Sequence, residues 1–266
     1  LNLLDTTAIR RSLSAVRTAI AGRLARQSRP STLATQATQA AQADTAPQPL
    51  TAADLALRDA VAILADQSGY RRTLESKRPT AADGSPLPWY TYPAIEYFNQ
   101  LDARGLRIFE YGCGNSSLYW SRKGAEVWSV EHDPAWHAAM VAQSAGLKGL
   151  ALRETREAYA AAVHEPGATF DMIVVDGIWR PACAAQALQA LAPHGVILLD
   201  NSDWYTDVAA LLRQNGFFPI DFNGFGPCNP YCWTTSLFLP FRSPLTARLQ
   251  SPVPIGGIAV QQGENW

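Results

Sequence analysis

Apolar and polar positions change their rhythm along the chain. From residue 107 onward, short apolar runs alternate with segments of helical period. Runs near 107–111, 126–130, 149–153, 170–175 and 195–199 read as strands, and helices fall near 116–123, 134–144, 180–191 and 204–214. Phe170-Asp-Met-Ile-Val-Val175 and Gly195-Val-Ile-Leu-Leu199 are almost unbroken apolar runs. Strands that read this way are covered on both faces, as in a parallel sheet flanked by helices. Phe217 to Ile220 and Trp233 to Phe238, parted by a Gly/Pro/Asn loop, read as two more strands. The pattern therefore predicts an α/β fold of seven strands.

The first hundred residues have a different rhythm. Ile9, Leu13, Val16, Ile20 and Leu24 recur at helical spacing. Arg10, Arg11, Arg17, Arg23, Arg26 and Arg29 stand against Asp5, so this helix is basic. Residues 30–49 are Ala, Gln, Thr and Pro with almost no large apolar side chain, the composition of a linker. Thr51 and Asp54 form a capping-box pattern before a helix with Leu57, Val61 and Leu64 on one face. Pro93 fits a first helical position, and Ala94, Phe98 and Leu101 then line one face. The expected organisation is a basic helix and flexible linker (1–49), a helical lead-in (50–105), an α/β core (106–240) and a Pro/Gly-rich surface tail (241–266).

Composition narrows the partners. The 22 Lys and Arg against 23 Asp and Glu give a net charge of −1, which argues against a polyanion binder, so no nucleic-acid partner is expected. No apolar run approaches the roughly 18 residues of a membrane span, and no secretory h-region opens the chain. Cys113, Cys183, Cys228 and Cys232 make no disulfide framework and fit reduced thiols in the cytoplasm. The basic N-terminal helix admits a peripheral membrane contact or a partner; a loosely docked extension or a transit peptide has the same composition. No feature sets an oligomeric state.

The densest chemistry lies between Arg107 and Glu131. A strand, Arg107-Ile-Phe-Glu-Tyr111, runs into Gly112-Cys-Gly114, a helix starts just beyond, and the next strand ends on Glu131, about 20 residues after the first glycine. That layout builds a nucleoside crevice. Ser117 stands where a dinucleotide site would carry its third glycine, and Glu110 would repel a pyrophosphate yet suits an ammonium group. The stretch resembles the first two motifs of the class I S-adenosylmethionine (SAM)-dependent methyltransferases, over roughly residues 105–240. The resemblance implies a Rossmann-like, mostly parallel seven-stranded sheet with helices on both faces, a closing antiparallel pair and an N-terminal helical extension. It implies SAM as cofactor, held by Glu110, Gly112, Cys113, Gly114, Asn115, Glu131, His132 and Asp176. Glu131 would accept the ribose hydroxyls.

Asp176 ends the fourth strand and Asp200-Asn201 the fifth. That order resembles the metal triad of catechol O-methyltransferase-like enzymes, which implies Mg²⁺ on Asp176, Asp200 and Asn201, with Asp176 and Asp200 as the catalytic pair. Those enzymes carry a lysine base three residues after the first Asp; here Trp179 stands there and Arg180 follows. Three alternatives remain: the metal suffices, Asp176 is the base without metal, or His164 or His194 serves. Trp89, Tyr90, Tyr92, Trp179, Trp204, Tyr205, Tyr231 and Trp233 crowd the expected open end, with Trp89, Tyr92, Arg180 and Trp233 the acceptor-side candidates. Residues 223–230 read as a rigid loop closing over the pocket. The expected activity is O-methylation of a small molecule or of a glycan or glycolipid hydroxyl. An NAD-dependent oxidoreductase and a non-catalytic SAM-fold interaction module are the alternatives.

Overall fold

The computed structural model describes residues 49–240. The expected basic helix and linker up to residue 48, and the tail 241–266, lie outside the described residues. The chain divides into two units between Leu57 and Arg58, and the whole sheet belongs to the second.

Seven strands form one sheet: β1 (Arg107–Tyr111), β2 (Glu126–Glu131), β3 (Gly149–Leu152), β4 (Phe170–Val175), β5 (Leu191–Asp200), β6 (Phe217–Phe225) and β7 (Cys232–Pro240). Their order is β3-β2-β1-β4-β5-β7-β6. The first five are parallel; β7 runs antiparallel to both β5 and β6. The expected mostly parallel sheet with an antiparallel closing pair is therefore present.

Alternation along each strand builds two cores. Ile108, Met172, Val174, Val196, Leu198, Leu237 and Leu239 face one side, under α3 (Tyr92–Asn99) and α4 (Asn115–Arg122). Phe109, Tyr111, Ile173, Val175, Ile197, Leu199 and Phe238 face the other, under α6 (Arg156–Ala161), α7 (Arg180–Ala190) and α8 (Thr206–Gln214). Both faces are apolar, which is why β4 and β5 read as continuous runs. The remaining helices are α1 (Ala52–Ala62), followed by a π-helical turn over Ile63–Gln67, α2 (Tyr70–Ser76) and α5 (Pro134–Val141).

Local signals hold at the helix starts. Thr51 N donates to Asp54 Oδ2 at 2.8 Å and Asp54 N to Thr51 Oγ1 at 3.2 Å, closing the expected capping box. Asp133 Oδ1 accepts from Ala135 N and Trp136 N and caps α5. Ala94, Phe98 and Leu101 are buried, as their spacing implied. Other boundaries differ. No residue of α1 is buried, and Leu64, from the same expected face, falls in the π turn. β5 begins at Leu191, four residues before the expected start, because Leu191 pairs with Phe170 ahead of a bulge. β6 runs on to Phe225, so Asn223 and Gly224 are strand residues and the expected loop shortens to residues 226–231. No described helix is long and apolar enough to cross a membrane.

Candidate functional site

The carboxyl ends of β1, β2, β4 and β5 lie side by side, where open α/β sheets bind ligands. Gly112 leaves β1 with φ +92°, and a Cβ there would come within 2.8 Å of the Gly177 Cα. Gly177 is equally constrained, since a Cβ on it would collide with the Tyr159 hydroxyl. These two glycines let the β1 and β4 ends approach. Gly114 differs: an added Cβ meets nothing nearer than Ser116 Oγ at 4.0 Å. Its missing side chain leaves space beside the turn.

Ser117, in the place of a third glycine, has a definite task. Its hydroxyl accepts from Gly114 N at 3.2 Å and donates to Glu110 Oε2, fixing the start of α4 on the end of β1. Ser129 Oγ lies 3.1 Å from the same hydroxyl. Glu110 is fully buried, and burial pushes its carboxyl up to about 8; the Ser116 and Ser117 hydroxyls offset this in part. No hydrogen bond reaches Glu110 Oε1 among the described residues. Burial thus favours the protonated form of Glu110, and a neighbouring cation would favour its carboxylate.

Glu131 is buried at the end of β2. Its Oε1 accepts from His132 N at 2.7 Å and Asp133 N at 2.9 Å, and His132 Nδ1 lies 2.8 Å away. Its Oε2 lies 3.7 Å from Cys113 Sγ, whose own carbonyl accepts Trp136 Nε1 at 2.7 Å. The glycine turn and the β2 end are therefore joined through Cys113. The His132, Tyr159 and Trp179 rings pack edge to face, with centroids 5.6 to 6.3 Å apart. Tyr159 Oη is buried without a partner among the described residues. Tyr159 carried no signal in the sequence, because helical spacing alone makes it one more core aromatic. Asn115 Nδ2 donates to Pro79 O at 2.7 Å.

Asp176, Asp200 and Asn201 do converge, but on Arg180. Arg180 Nε donates to Gly177 O at 2.9 Å; Nη1 donates to Asp200 O and, at 3.1 Å, to Asn201 Oδ1; Nη2 donates to Asp176 O at 2.8 Å and Asp176 Oδ1 at 2.9 Å. The Tyr205 ring covers the guanidinium at 4.6 Å. Arg180, expected on the acceptor side, is an internal bridge with every N–H used. One oxygen of the Asp200 carboxylate is held on the β7 side: Oδ1 accepts from Thr235 Oγ1 at 2.5 Å and Trp233 Nε1 at 3.1 Å. Burial and the Asp176 charge push Asp200 well above the usual carboxylate range. Burial also raises Asp176, and Arg180 holds that rise back. The Asp176 side chain is 20% exposed, so of the two it is the more open carboxylate.

A metal does not fit this arrangement. The expected Mg²⁺ position is taken by a guanidinium, which bonds the Asp176 carboxylate and the backbone carbonyl of Asp200. No group of three or more His, Cys, Asp or Glu side chains suited to a metal occurs among the described residues. The histidine alternatives also fall away. His164 Nε2 is held by Gln186 Oε1 at 2.8 Å, well along α7 from Arg180, and His194 lies six residues before Asp200, roughly 20 Å down β5.

The aromatic mouth is smaller than expected. Tyr92 and Trp233 are buried in the core, Tyr92 edge-on to Tyr70 at 6.5 Å and Trp233 against Asp200. Trp89 is 36% exposed and Trp204 37%. Tyr231 links Trp204 and Trp233, with centroids 6.3 and 6.0 Å away. A Cβ on Gly226 would strike the Trp233 ring and the Tyr90 carbonyl, so the shortened loop lies directly on Trp233. All four cysteines are free thiols.

No protein-family model and no curated protein matches the chain. Among solved structures, it is similar to a putative O-methyltransferase from Klebsiella pneumoniae (15% identity, 71% of this chain and 96% of that one, TM-score 0.45). It is similar to a methyltransferase-like protein from Silicibacter pomeroyi (20% identity, 67% and 93%, TM-score 0.41). A third is the 1,6-didemethyltoxoflavin-N1-methyltransferase of Burkholderia thailandensis, solved with its acceptor and S-adenosylhomocysteine (16% identity, 73% and 93%, TM-score 0.41). Likenesses of this size leave the function to the chain's own residues.

Proposed function

We propose that the chain is a SAM-dependent methyltransferase of class I architecture that methylates a hydroxyl of a small-molecule or glycan acceptor. The observation that carries this reading is the opening at Gly114 beside two buried acids, Glu110 with an unpartnered Oε1 and Glu131 at the end of β2. A nucleoside carrying an amino-acid tail needs this combination: a side-chain-free turn, a carboxylate for the ribose, and an acid that an ammonium can ionise. The residues present fit the group. Glu131 would take the ribose hydroxyls, the His132–Tyr159–Trp179 rings would flank the base, and Glu110 would answer the ammonium. SAM, when bound, supplies an already activated methyl on a sulfonium.

The chain's own part is alignment and a proton acceptor. Asp176 fits the second task. It stands at the end of β4, is the more open of the two acids, and has a basicity raised by burial. Arg180 holds its carboxylate in place. Trp204 and Tyr231 offer flat, polar-tipped surface for an acceptor. A nucleic-acid acceptor has no comparable support, since Asp200-Asn-Ser-Asp203 lacks the Pro-Pro-aromatic clamp used on base amino groups.

Calorimetry with SAM, S-adenosylhomocysteine and NAD tests the reading directly. The expected outcome is binding of the first two and none of NAD. Binding of NAD alone would return the chain to the oxidoreductases, and absence of heat with SAM at millimolar concentration would overturn the proposal. Methyl-labelled SAM with extracts fractionated by acceptor type then separates an enzyme from a binding module.

A further inference from the structure

We propose that the Arg180 guanidinium is the resident cation of this site, filling the position that the order Asp176, Asp200, Asn201 would otherwise give to a divalent metal, so that the intact chain holds no Mg²⁺ or Mn²⁺ there. Five N–H groups meet five acceptors: three backbone carbonyls (Asp176, Gly177 and Asp200), one carboxylate oxygen and one amide oxygen. A guanidinium has five donors, so it is saturated. Arg180 is only 7% exposed and closed on one face by Tyr205.

An entering ion has two ways in. Beside the guanidinium it meets a like charge at close range in a buried site, where repulsion is weakly screened. In place of the guanidinium it must break five hydrogen bonds and displace a side chain anchored at the first position of α7. The second member of the triad is itself engaged twice. Asp200 presents its carbonyl to this position, while Thr235 and Trp233 hold Oδ1 of its carboxylate on the β7 side. Neutralisation of Asp176 is thus built into the chain.

Arg180 is accordingly a positioning residue. It ties the end of β4, the start of α7 and the end of β5 into one plate, and it aims Asp176 at the crevice. With the guanidinium removed, the vacated volume would be faced by hard oxygen donors, the set that Mn²⁺ and Mg²⁺ prefer. The substitution should therefore convert an anion–cation bridge into a metal site.

Mn²⁺ titration of the full chain, followed by the electron paramagnetic signal of the free ion, tests this without cofactor or acceptor; failure of the methyl-transfer reading would leave it untouched. The wild type should show no Asp176-dependent site tighter than about 1 mM. Arg180→Met should gain an Mn²⁺ site, and adding Asp176→Asn should abolish it. Arg180→Lys keeps a charge and should bind none. Wild-type Mn²⁺ binding that Asp176→Asn removes would overturn the proposal, whether or not Arg180→Met folds; binding that survives Asp176→Asn lies elsewhere and supports it. A folded Arg180→Met that takes up no Mn²⁺ would also overturn it, because Arg180 would then not be what keeps the ion out.

Discussion

Thr235 Oγ1 donates to Asp200 Oδ1 at 2.5 Å, directly opposite it in the antiparallel register of β5 and β7. The same hydroxyl accepts Thr91 N at 3.0 Å, at the N-cap of α3. A helix start, a closing strand and the carboxyl at the end of β5 are thereby linked through one buried oxygen. Thr235→Val removes an acceptor and a donor at once. Leaving buried polar groups unsatisfied costs roughly 1–3 kcal/mol each, so urea denaturation should show a loss of about 2 kcal/mol or more. A loss below about 0.5 kcal/mol, the level of an ordinary surface change, would mean that the link carries no stability.

The two glycines of the β1 turn should separate fold from binding. Gly112→Ala places a Cβ against the Gly177 backbone at positive φ, so the protein should lose several kcal/mol or fail to accumulate. Gly114→Ala meets only open space and should keep the wild-type melting temperature within about 2 °C. SAM binding should nevertheless weaken at least tenfold in Gly114→Ala, because the methyl fills the space left for the cofactor. Unchanged affinity would move the cofactor away from this turn.

Glu131→Ala should weaken SAM binding by about tenfold or more, since a hydrogen bond to a charged group contributes roughly 1.5–3 kcal/mol. Glu131 also accepts from His132 N and Asp133 N, so Glu131→Gln serves as the control. It retains an acceptor for these amides but loses the charge. Calorimetry on both variants should show the larger loss for alanine. Equal affinity in all three proteins would remove Glu131 from the site.

Glu110 predicts a pH dependence with a definite sign. Its carboxyl is raised from 4.5 to about 8 in the folded chain, so the folded state binds the proton more tightly than the unfolded one. The stability linked to this proton is fully present below about pH 4.5 and is lost as pH rises through about 8. Glu110→Gln cannot titrate. Its melting temperature relative to wild type should rise between pH 5 and pH 9, by roughly 5 °C or more. A constant difference across that range would mean that Glu110 is ionised in the folded protein.

Much of this protein was legible in one dimension. Unbroken apolar runs such as Met172 to Val175 reported burial on both sheet faces, because a strand covered twice has no polar face to show. Asp133 before Pro134, and Thr51 before Asp54, marked helix starts because capping is settled within four residues. The spacing from Gly112 to Glu131 placed both at neighbouring strand ends, since one crossover of that length returns the chain to the adjacent parallel strand. Tertiary structure decided the rest. The hold on Asp200 Oδ1 depends on Thr235 and Trp233, which lie 35 and 33 residues away and meet it only through the register of β7. Protonation of Glu110 follows from the depth of its burial, which a motif of identical letters does not encode. Arg180 next to Trp179 reads as a lysine base lost from its place; only the folded ends of β4 and β5, brought to one point, turn that arginine into the cation of the site.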